Sequence, residues 1–302
     1  MANNKLYDVI IVGGSYAGLA AAMALGRALK QVLVIDSGLP CNRQTPFSHN
    51  FLTQDGKPPL EIMQAARLQV SAYDTIGFLS DTVVRAKKSG QEFEIETYTG
   101  ENFFAKKLIF ATGIRDLLPD IDGIQACWGI SVIHCPYCHG YEVRHEKTGL
   151  LSNSEITFEH TKMISNWTKD LTLFTNGPSV LTAEQANTLR QKGINIVETP
   201  VESVQHKNGH LTRIILNNGD EQALKALYAQ IPFEQHCAVP EMLGCQLTPE
   251  GFIKTDMMQE TSVEGVFACG DNTGRFRSVA NAVATGTMAG AAVSRKLIME
   301  EF

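Results

Sequence analysis

The 302-residue sequence lacks the marks of a membrane or nucleic-acid-binding protein. No segment approaches the roughly 20 consecutive apolar residues that a membrane-spanning helix requires. Lysine and arginine number 26 against 32 acidic residues, and the longest basic runs are pairs, such as Lys87 with Lys88. A nucleic-acid-binding surface needs clustered cations, so we expect no nucleic-acid partner and no membrane association.

The sequence also lacks a secretory signal and an even set of cysteines. Met1–Tyr7 is polar and leads directly into an apolar strand, which is not the pattern of a signal peptide. Five of the seven cysteines lie far apart, and in a reducing compartment a close cysteine pair is typically catalytic or metal-binding. We therefore expect a cytoplasmic protein. The scattered cysteines are Cys41, Cys127, Cys237, Cys245 and Cys269.

Apolar patterning predicts an α/β protein with two strand-helix-strand units, and the chain length suggests two domains. A strand-helix-strand unit implies a parallel sheet. Between the units, residues 93–110 alternate in polarity around a turn, as a hairpin does. The first unit comprises strand 7–12, helix 19–27 and strand 31–35; the second comprises strand 149–151, helix 155–167 and strand 171–175.

A glycine-rich turn, GGSYAG at residues 13–18, lies between the first strand and the first helix. Backbone N–H groups at this position face a dinucleotide pyrophosphate. Ser15 replaces the middle glycine, but it is small and its hydroxyl can donate to phosphate. Asp36 ends the second strand, where a carboxylate accepts hydrogen bonds from a ribose. The combination predicts a dinucleotide site rather than a plain surface turn.

Two later turns extend this site. Residues 111–113, Ala-Thr-Gly, follow an apolar strand, and Gly270 with Asp271 follow another and precede a small-residue helix at about 278–298. An aspartate at such a turn can bind a polyol hydroxyl, and the N-terminus of the helix can stabilise negative charge on a flavin ring.

Cys135 and Cys138 form a CxxC motif bracketed by His134 and His139. A first helical turn brings two such sulfurs together and lowers the pKa of the first thiol, and an imidazole can move its proton. The alternatives are a purely structural pair and a structural zinc site. Zinc usually takes four ligands, commonly two such pairs, and no second CxxC exists. We therefore predict a redox pair and no metal.

The order of these motifs resembles that of the low-molecular-weight thioredoxin reductases. The resemblance implies two Rossmann-like three-layer ββα domains, an FAD-binding domain at 1–116 and 241–302 and an inserted NAD(P)H-type domain at 117–240 that carries the CxxC. It also implies a homodimer, with Cys138 on the flavin side and Cys135 attacking the substrate. The implied FAD contacts are Gly13, Gly14, Ser15, Ala17, Gly18, Asp36, Asn42, His49, Thr112, Gly113, Gly270, Asp271, Ser278 and Val279.

Two departures from the family pattern stand out. His139 replaces the acid that follows the CxxC in those reductases, and the stretch HCPYCHGYE is similar to a divergent branch that includes the dithiol oxidases of gliotoxin and holomycin biosynthesis. We hypothesise that His139 takes over proton transfer. In addition, residues 151–157 lack the glycines of an NADPH fingerprint, and Glu155 would stand where pyrophosphate approaches. A diverged loop that still binds NADPH through other groups remains the alternative.

These features predict an FAD-dependent thiol/disulfide oxidoreductase in which electrons pass between flavin and the Cys135/Cys138 pair. The expected partner is a thioredoxin-like protein or a small dithiol or disulfide, which would leave the same motifs. Two alternatives stay open: a dithiol oxidase that uses oxygen as acceptor, and a non-catalytic FAD redox sensor.

Overall fold

The structure, a computed structural model, describes residues 5–302. The first part of the chain contains β1 (Leu6–Val12), α1 (Tyr16–Arg27), β2 (Val32–Asp36), α2 (Pro59–Val70), β3 (Ile76–Ser80), β4 (Val83–Ser89), β5 (Glu92–Thr97), β6 (Asn102–Phe110), β7 (Ile114–Asp116), α3 (Ile124–Cys127), β8 (Val132–Ile133) and α4 (Pro136–His139). The second part contains β9 (Thr148–Leu151), α5 (Thr157–Ile164), β10 (Leu171–Phe174), α6 (Ala183–Gln191), β11 (Asn195–Val197), β12 (Val201–Lys207), β13 (His210–Leu216), β14 (Glu221–Ala223), β15 (Ala226–Ala229), β16 (Phe233–Gln235), α7 (Val239–Met242), β17 (Val266–Ala268) and α8 (Val279–Glu301).

The chain divides into two compact units. The first unit contains the residues up to Arg43, Phe51–Arg115 and Phe233–Phe302, and the second contains Gln44–Asn50 and Asp116–Pro232. The second unit is thus formed mainly by one continuous segment. Its end lies at Pro232, whereas the resemblance placed the return to the first domain at residue 241. The assignment of a nucleotide to each unit stays a prediction.

The first unit is built on a seven-stranded sheet in the order β3-β2-β1-β6-β5-β4, with β17 also beside β6. Strands β3, β2, β1, β6 and β17 are parallel to one another. Strand β5 runs antiparallel to both of its neighbours, β6 and β4. The predicted strand-helix-strand unit and the predicted hairpin are both confirmed. Strand β1 is buried from Val9 to Val12, as expected for a central parallel strand covered on both faces.

Helices α1 and α8 pack closely because small residues face each other. A Cβ added to Gly286 would overlap the backbone of Ala17, and one added to Gly290 would lie 2.6 Å from the carbonyl oxygen of Ala21. Both contacts advance by four residues in the same direction, so the two helices run parallel. Their N-termini therefore point to the same edge of the sheet.

The second unit contains a five-stranded parallel sheet in the order β11-β10-β9-β15-β8 and a three-stranded antiparallel sheet, β12-β13-β14. The predicted second strand-helix-strand unit is confirmed as β9, α5 and β10, with Leu150 paired to Leu173. A buried apolar cluster that includes Ile164 and Leu189 packs α5 and α6 against this sheet. None of the helices within residues 5–302 has both the length and the apolar character that crossing a membrane requires.

Candidate nucleotide and redox sites

The predicted FAD residues of the first unit gather at one edge of its sheet. Strands β1, β2, β6 and β17 end together, because Val12 pairs with both Ile35 and Phe110, and Phe110 also pairs with Ala268. The turns that leave these ends are the four that carry the predicted contacts. Ligands of open α/β sheets bind at this carboxyl edge.

Close backbone contacts explain the three glycines of the first turn. Gly13 has a φ of +103°, and a Cβ there would overlap the carbonyl oxygen of Ala111. A Cβ on Gly18 would overlap the carbonyl oxygen of Gly13, and one on Gly14 would lie 2.8 Å from the Cβ of Asp36. Any side chain would therefore force these segments apart. The glycines allow the turn to pack directly against the ends of the neighbouring strands.

Asp36 anchors this turn. The backbone N–H of Gly14 donates to Oδ1 of Asp36 over 2.9 Å. Ser15 is the N-cap of α1, yet its side chain makes no capping bond, and the first turn of α1 contains no acidic residue. Since the first N–H groups of a helix have no partner within it, this end of α1 is suited to an anion such as a pyrophosphate. Ala17 lies in the same turn.

The turn after β17 is more closely packed than its sequence shows. Gly270 has a φ of +87°, and its N–H donates to Oγ1 of Thr285 over 3.0 Å. Oδ2 of Asp271 lies 3.7 Å from Nε of Arg277 and 3.9 Å from Sγ of Cys41. Sequence reasoning selected Asp271 but missed these neighbours, because no local pattern connects them. At the start of α8, Ser278 caps the helix by accepting from the N–H of Asn281, and Val279 is its first residue.

Asn272 is a second residue that sequence reasoning missed. It is fully buried, and its Nδ2 donates to the carbonyl oxygen of Phe110 over 2.9 Å and to Oγ1 of Thr112 over 3.3 Å. Its Oδ1 has no partner among the described residues. Gly113 has open space where a Cβ would stand, and Asn42 Nδ2 lies 3.4 Å from the Tyr16 hydroxyl oxygen.

These observations fit a bound FAD. The glycine turn is a cradle that a Cβ would fill, the N-terminus of α1 has no acidic residue or side-chain cap, and a buried amide oxygen beside Thr112 has no protein partner. The assignments of Gly13, Gly14 and Ser15 to the pyrophosphate and of Asp36 to a ribose stay predictions, as do the other contacts carried over from the family.

In the second unit, Cys135 and Cys138 form a disulfide with a Cα–Cα distance of 5.3 Å. Cys135 is the N-cap of the short helix α4, Pro136 is its first residue, and the N–H of Cys138 donates to Sγ of Cys135 over 3.2 Å. A hydrogen bond to sulfur stabilises the thiolate that forms when the disulfide opens. Tyr137, between the cysteines, is 61% exposed and packs edge-on against Trp167.

His139 ends α4 and is partly buried. Burial lowers the pKa of its imidazole, Glu142 acts in the opposite direction, and His49 lowers it further. The Nε2 atom of His49 lies 3.6 Å from Oε1 of Glu142. His49, which the resemblance assigned to the flavin, thus belongs to the second unit and pairs with Glu142 there. Glu142 itself was not among the sequence-predicted residues.

The loop between β9 and α5 stands where a second dinucleotide fingerprint would be. Ser152 Oγ lies 2.8 Å from Oγ1 of Thr157 and 2.7 Å from Oε1 of Gln230. The backbone N–H of Ser154 donates to the same Thr157 hydroxyl over 2.7 Å, so a donor that could face a phosphate is already used. Glu155 follows and is exposed.

A neighbouring loop is joined to this one by a side-chain amide. Nδ2 of Asn153 donates to the carbonyl oxygen of Pro178 over 2.9 Å, and its Oδ1 accepts from the N–H of Val180 over 3.0 Å. The N–H of Ser179 donates to Glu198, just after β11, over 3.2 Å. Side chains and their hydrogen bonds therefore occupy the carboxyl edge of the second sheet. The carboxylates of Glu155 and Glu198 add negative charge there.

Comparison with known proteins agrees with this architecture. Residues 7–286 match the family described as pyridine nucleotide-disulphide oxidoreductase. The thioredoxin reductase tcpT of Claviceps purpurea is 33% identical over 99% of this chain and 97% of its own length. An oxidoreductase from Agrobacterium tumefaciens has a TM-score of 0.92 and 41% identity over 98% of this chain and 99% of its own. The crystal structure of HlmI has a TM-score of 0.93 and 29% identity over 100% of this chain and 95% of its own.

The chain belongs to the pyridine nucleotide-disulphide oxidoreductase family. Within it, the chain is an enzyme of the thioredoxin reductase type, a class of FAD-dependent disulfide oxidoreductases. The predicted family and fold class are both confirmed.

Proposed function

We propose that this enzyme oxidises a dithiol to a disulfide through Cys135 and Cys138, with FAD bound in the first unit and without NADPH as its electron source. The observation that carries the proposal is the contrast between the two loops at equivalent strand-turn-helix positions. The first has glycines, no acidic residue in the first turn of its helix and an anchoring aspartate. The second is filled by Ser152 and Asn153 and their hydrogen bonds.

The cysteine pair carries out the exchange with substrate. A substrate thiolate attacks Sγ of Cys135, the bond to Cys138 breaks, and Cys138 leaves as a thiolate. The second substrate sulfur then attacks the first, which closes the substrate disulfide and releases Cys135. Two electrons and the protons of the substrate dithiol are thereby transferred to the enzyme. FAD, when bound, supplies the two-electron acceptor that restores the pair and delivers electrons to oxygen.

We assign the uptake of a proton during this exchange to His139, which directly follows Cys138 at the end of α4. Because burial lowers the pKa of its imidazole, it is neutral and able to accept at neutral pH. The reductases that this chain resembles have an acid at the position of His139. A neutral imidazole at this position favours removal of a proton from an incoming thiol.

An anaerobic titration tests the proposal. The yellow holoenzyme is mixed with NADPH in one cuvette and with dithiothreitol in another, and the flavin absorbance near 450 nm is followed. We expect bleaching within seconds by the dithiol, slow or no bleaching by NADPH, and recovery of the colour when air is admitted. A matched Cys138→Ser enzyme should retain FAD and lose the response to dithiol.

Other results would favour other functions. Rapid bleaching by NADPH, followed by reduction of a thioredoxin-like protein, would contradict the oxidase and support the reductase that the names of several relatives suggest. A single reduction with dithiol and no turnover in air would support a redox sensor. Apoprotein that does not take up FAD would refute the flavin site itself.

A further inference from the structure

We propose that Glu142 is a positioning residue for thiol exchange: paired with His49, its carboxylate stabilises the positive charge that His139 acquires on taking the proton of the substrate thiol. The inference rests on the proposed dithiol oxidation and adds to it the groups that control the proton. It names two residues, separated in the sequence by the segment Phe51–Arg115 of the first unit, as parts of one acid-base cluster.

The backbone around the CxxC fixes Glu142 close to His139. His139 is the last residue of α4, and the chain turns at once through Gly140. A Cβ on Gly140 would lie 2.8 Å from two ring atoms of Trp167, so the turn is packed tightly against that side chain. The backbone of Trp167 also accepts from the N–H of His145 over 2.8 Å. The turn that carries Glu142 is therefore held at both ends.

Besides His139, Glu142 faces two titratable groups from other parts of the second unit. Nε2 of His49 lies 3.6 Å from Oε1 of Glu142, whose side chain is 41% exposed. Tyr228, on strand β15, is fully buried, and its hydroxyl has no partner among the described residues. Burial and then Glu142 raise the pKa of Tyr228, so this phenol stays neutral.

The effects on His139 have opposite signs. Burial lowers the pKa of His139, Glu142 raises it, and His49 lowers it. A carboxylate beside a developing imidazolium therefore compensates for the burial that keeps the resting imidazole neutral. Because Glu142 is partly exposed, water screens its charge, and we expect an effect of two- to about fivefold on the rate rather than a loss of activity.

The chemical step in which Glu142 acts is balanced within the protein and the substrate. The S–H bond of the substrate breaks, its proton passes to the imidazole of His139, and the sulfur bonds to Sγ of Cys135. The Cys135–Cys138 bond breaks, and its electron pair leaves on Sγ of Cys138. The step thus creates an imidazolium and a thiolate from neutral groups, and the carboxylate of Glu142 stabilises the former.

The test uses the holoenzyme in anaerobic stopped-flow experiments, with the rate of flavin bleaching by dithiothreitol measured from pH 5 to 9. Glu142→Gln should move the acid limb of the profile to lower pH and lower the plateau two- to about fivefold. His49→Gln should move the acid limb to higher pH. Glu146→Gln removes an exposed carboxylate from the same segment and should reproduce the wild-type profile. Comparison with wild type at each pH removes the contribution of the dithiol's own ionisation.

A second readout does not depend on turnover. The imidazole of His139 is titrated by NMR in the oxidised holoenzyme, with its signal assigned by loss in His139→Gln. Its midpoint should fall in Glu142→Gln and rise in His49→Gln. Shifts in the same direction, no shifts, or an equal effect of Glu146→Gln would overturn the proposal. Failure of dithiol to bleach the wild type would refute the proposed function instead, and the NMR midpoints would still decide the role of Glu142.

Discussion

Replacement of Asp36 with alanine should weaken FAD binding far more than it weakens the fold. The N–H of Gly14 donates to its carboxylate over 2.9 Å, and this bond holds the turn beside the N-terminus of α1. Hydrogen bonds to charged groups contribute about 1.5–3 kcal/mol. Since each 1.4 kcal/mol changes an equilibrium constant tenfold, FAD affinity should fall about 10- to 100-fold. Loss of the predicted ribose contact would place the result at the upper end.

Asp8 supplies a matched control within the same sheet. Its Oδ2 accepts from the backbone N–H of Gln31 over 2.9 Å, which is the same kind of bond and the same length. It lies near the other end of β1, away from the glycine turn. Asp8→Ala should therefore lower the urea midpoint as Asp36→Ala does, while leaving FAD affinity unchanged.

The assay is a fluorescence titration of each apoprotein with FAD, together with urea unfolding of the same samples. The reasoning about the first nucleotide site would be refuted if Asp36→Ala bound FAD as tightly as wild type. It would equally be refuted if Asp8→Ala lost as much affinity, since the effect would then come from general destabilisation of the sheet.

Two further predictions concern stability and thiol reactivity. Glu301 pairs with Lys106 and Lys30, which lower its pKa to about 2 from an ordinary value of 4.5. A carboxyl whose folded pKa is depressed stabilises the fold above its unfolded pKa and loses that effect as the pH falls towards the folded value. Glu301→Gln should therefore reduce the drop in urea midpoint between about pH 5 and pH 2, and an unchanged drop would contradict the pairing. Cys41 is exposed, whereas burial raises the pKa of Cys269 to about 12. Native oxidised protein should show one fast thiol towards a disulfide reagent, and Cys41→Ala should remove it; a fast phase that survives would be evidence against this assignment.

The arrangement of the first nucleotide site could be predicted because it follows from local sequence. The glycine turn, Asp36, residues 111–113 and Gly270 with Asp271 each follow an apolar run, and parallel strands place their carboxyl ends at one edge. The pairing of Val12 with Ile35 and Phe110 brings the glycine turn, Asp36 and residues 111–113 together without further information. The CxxC was visible for the same reason, since both cysteines lie within one turn of helix.

Contacts between distant segments could not be predicted in this way. Glu142 and His49 meet through tertiary folding of the second unit, and neither lies in a pattern that points to the other. Cys41 reaches Asp271 from the other end of the first unit's sequence. A single sequence contains the residue types of such clusters but not the distances between them, so the pairing of these side chains is known only from the structure.

The two strand-turn-helix loops show why topology alone does not determine the ligand. Both follow a buried parallel strand, and both lead into a helix. At Gly13 and Gly14, the absence of a Cβ lets backbone approach backbone, while the N–H groups of both glycines bond to the end of β2. The N-terminus of α1 follows directly and has no acidic residue in its first turn. In the second loop the N–H of Ser154 is bonded to Thr157, and Asn153 joins the neighbouring loop. Under the proposed loss of NADPH binding, replacement of Asn153 alone leaves the Ser154 donor engaged, so restoring a nucleotide there requires changes at several positions at once. The fold supplies the location of a nucleotide site, and the side chains of the loop decide whether it is open.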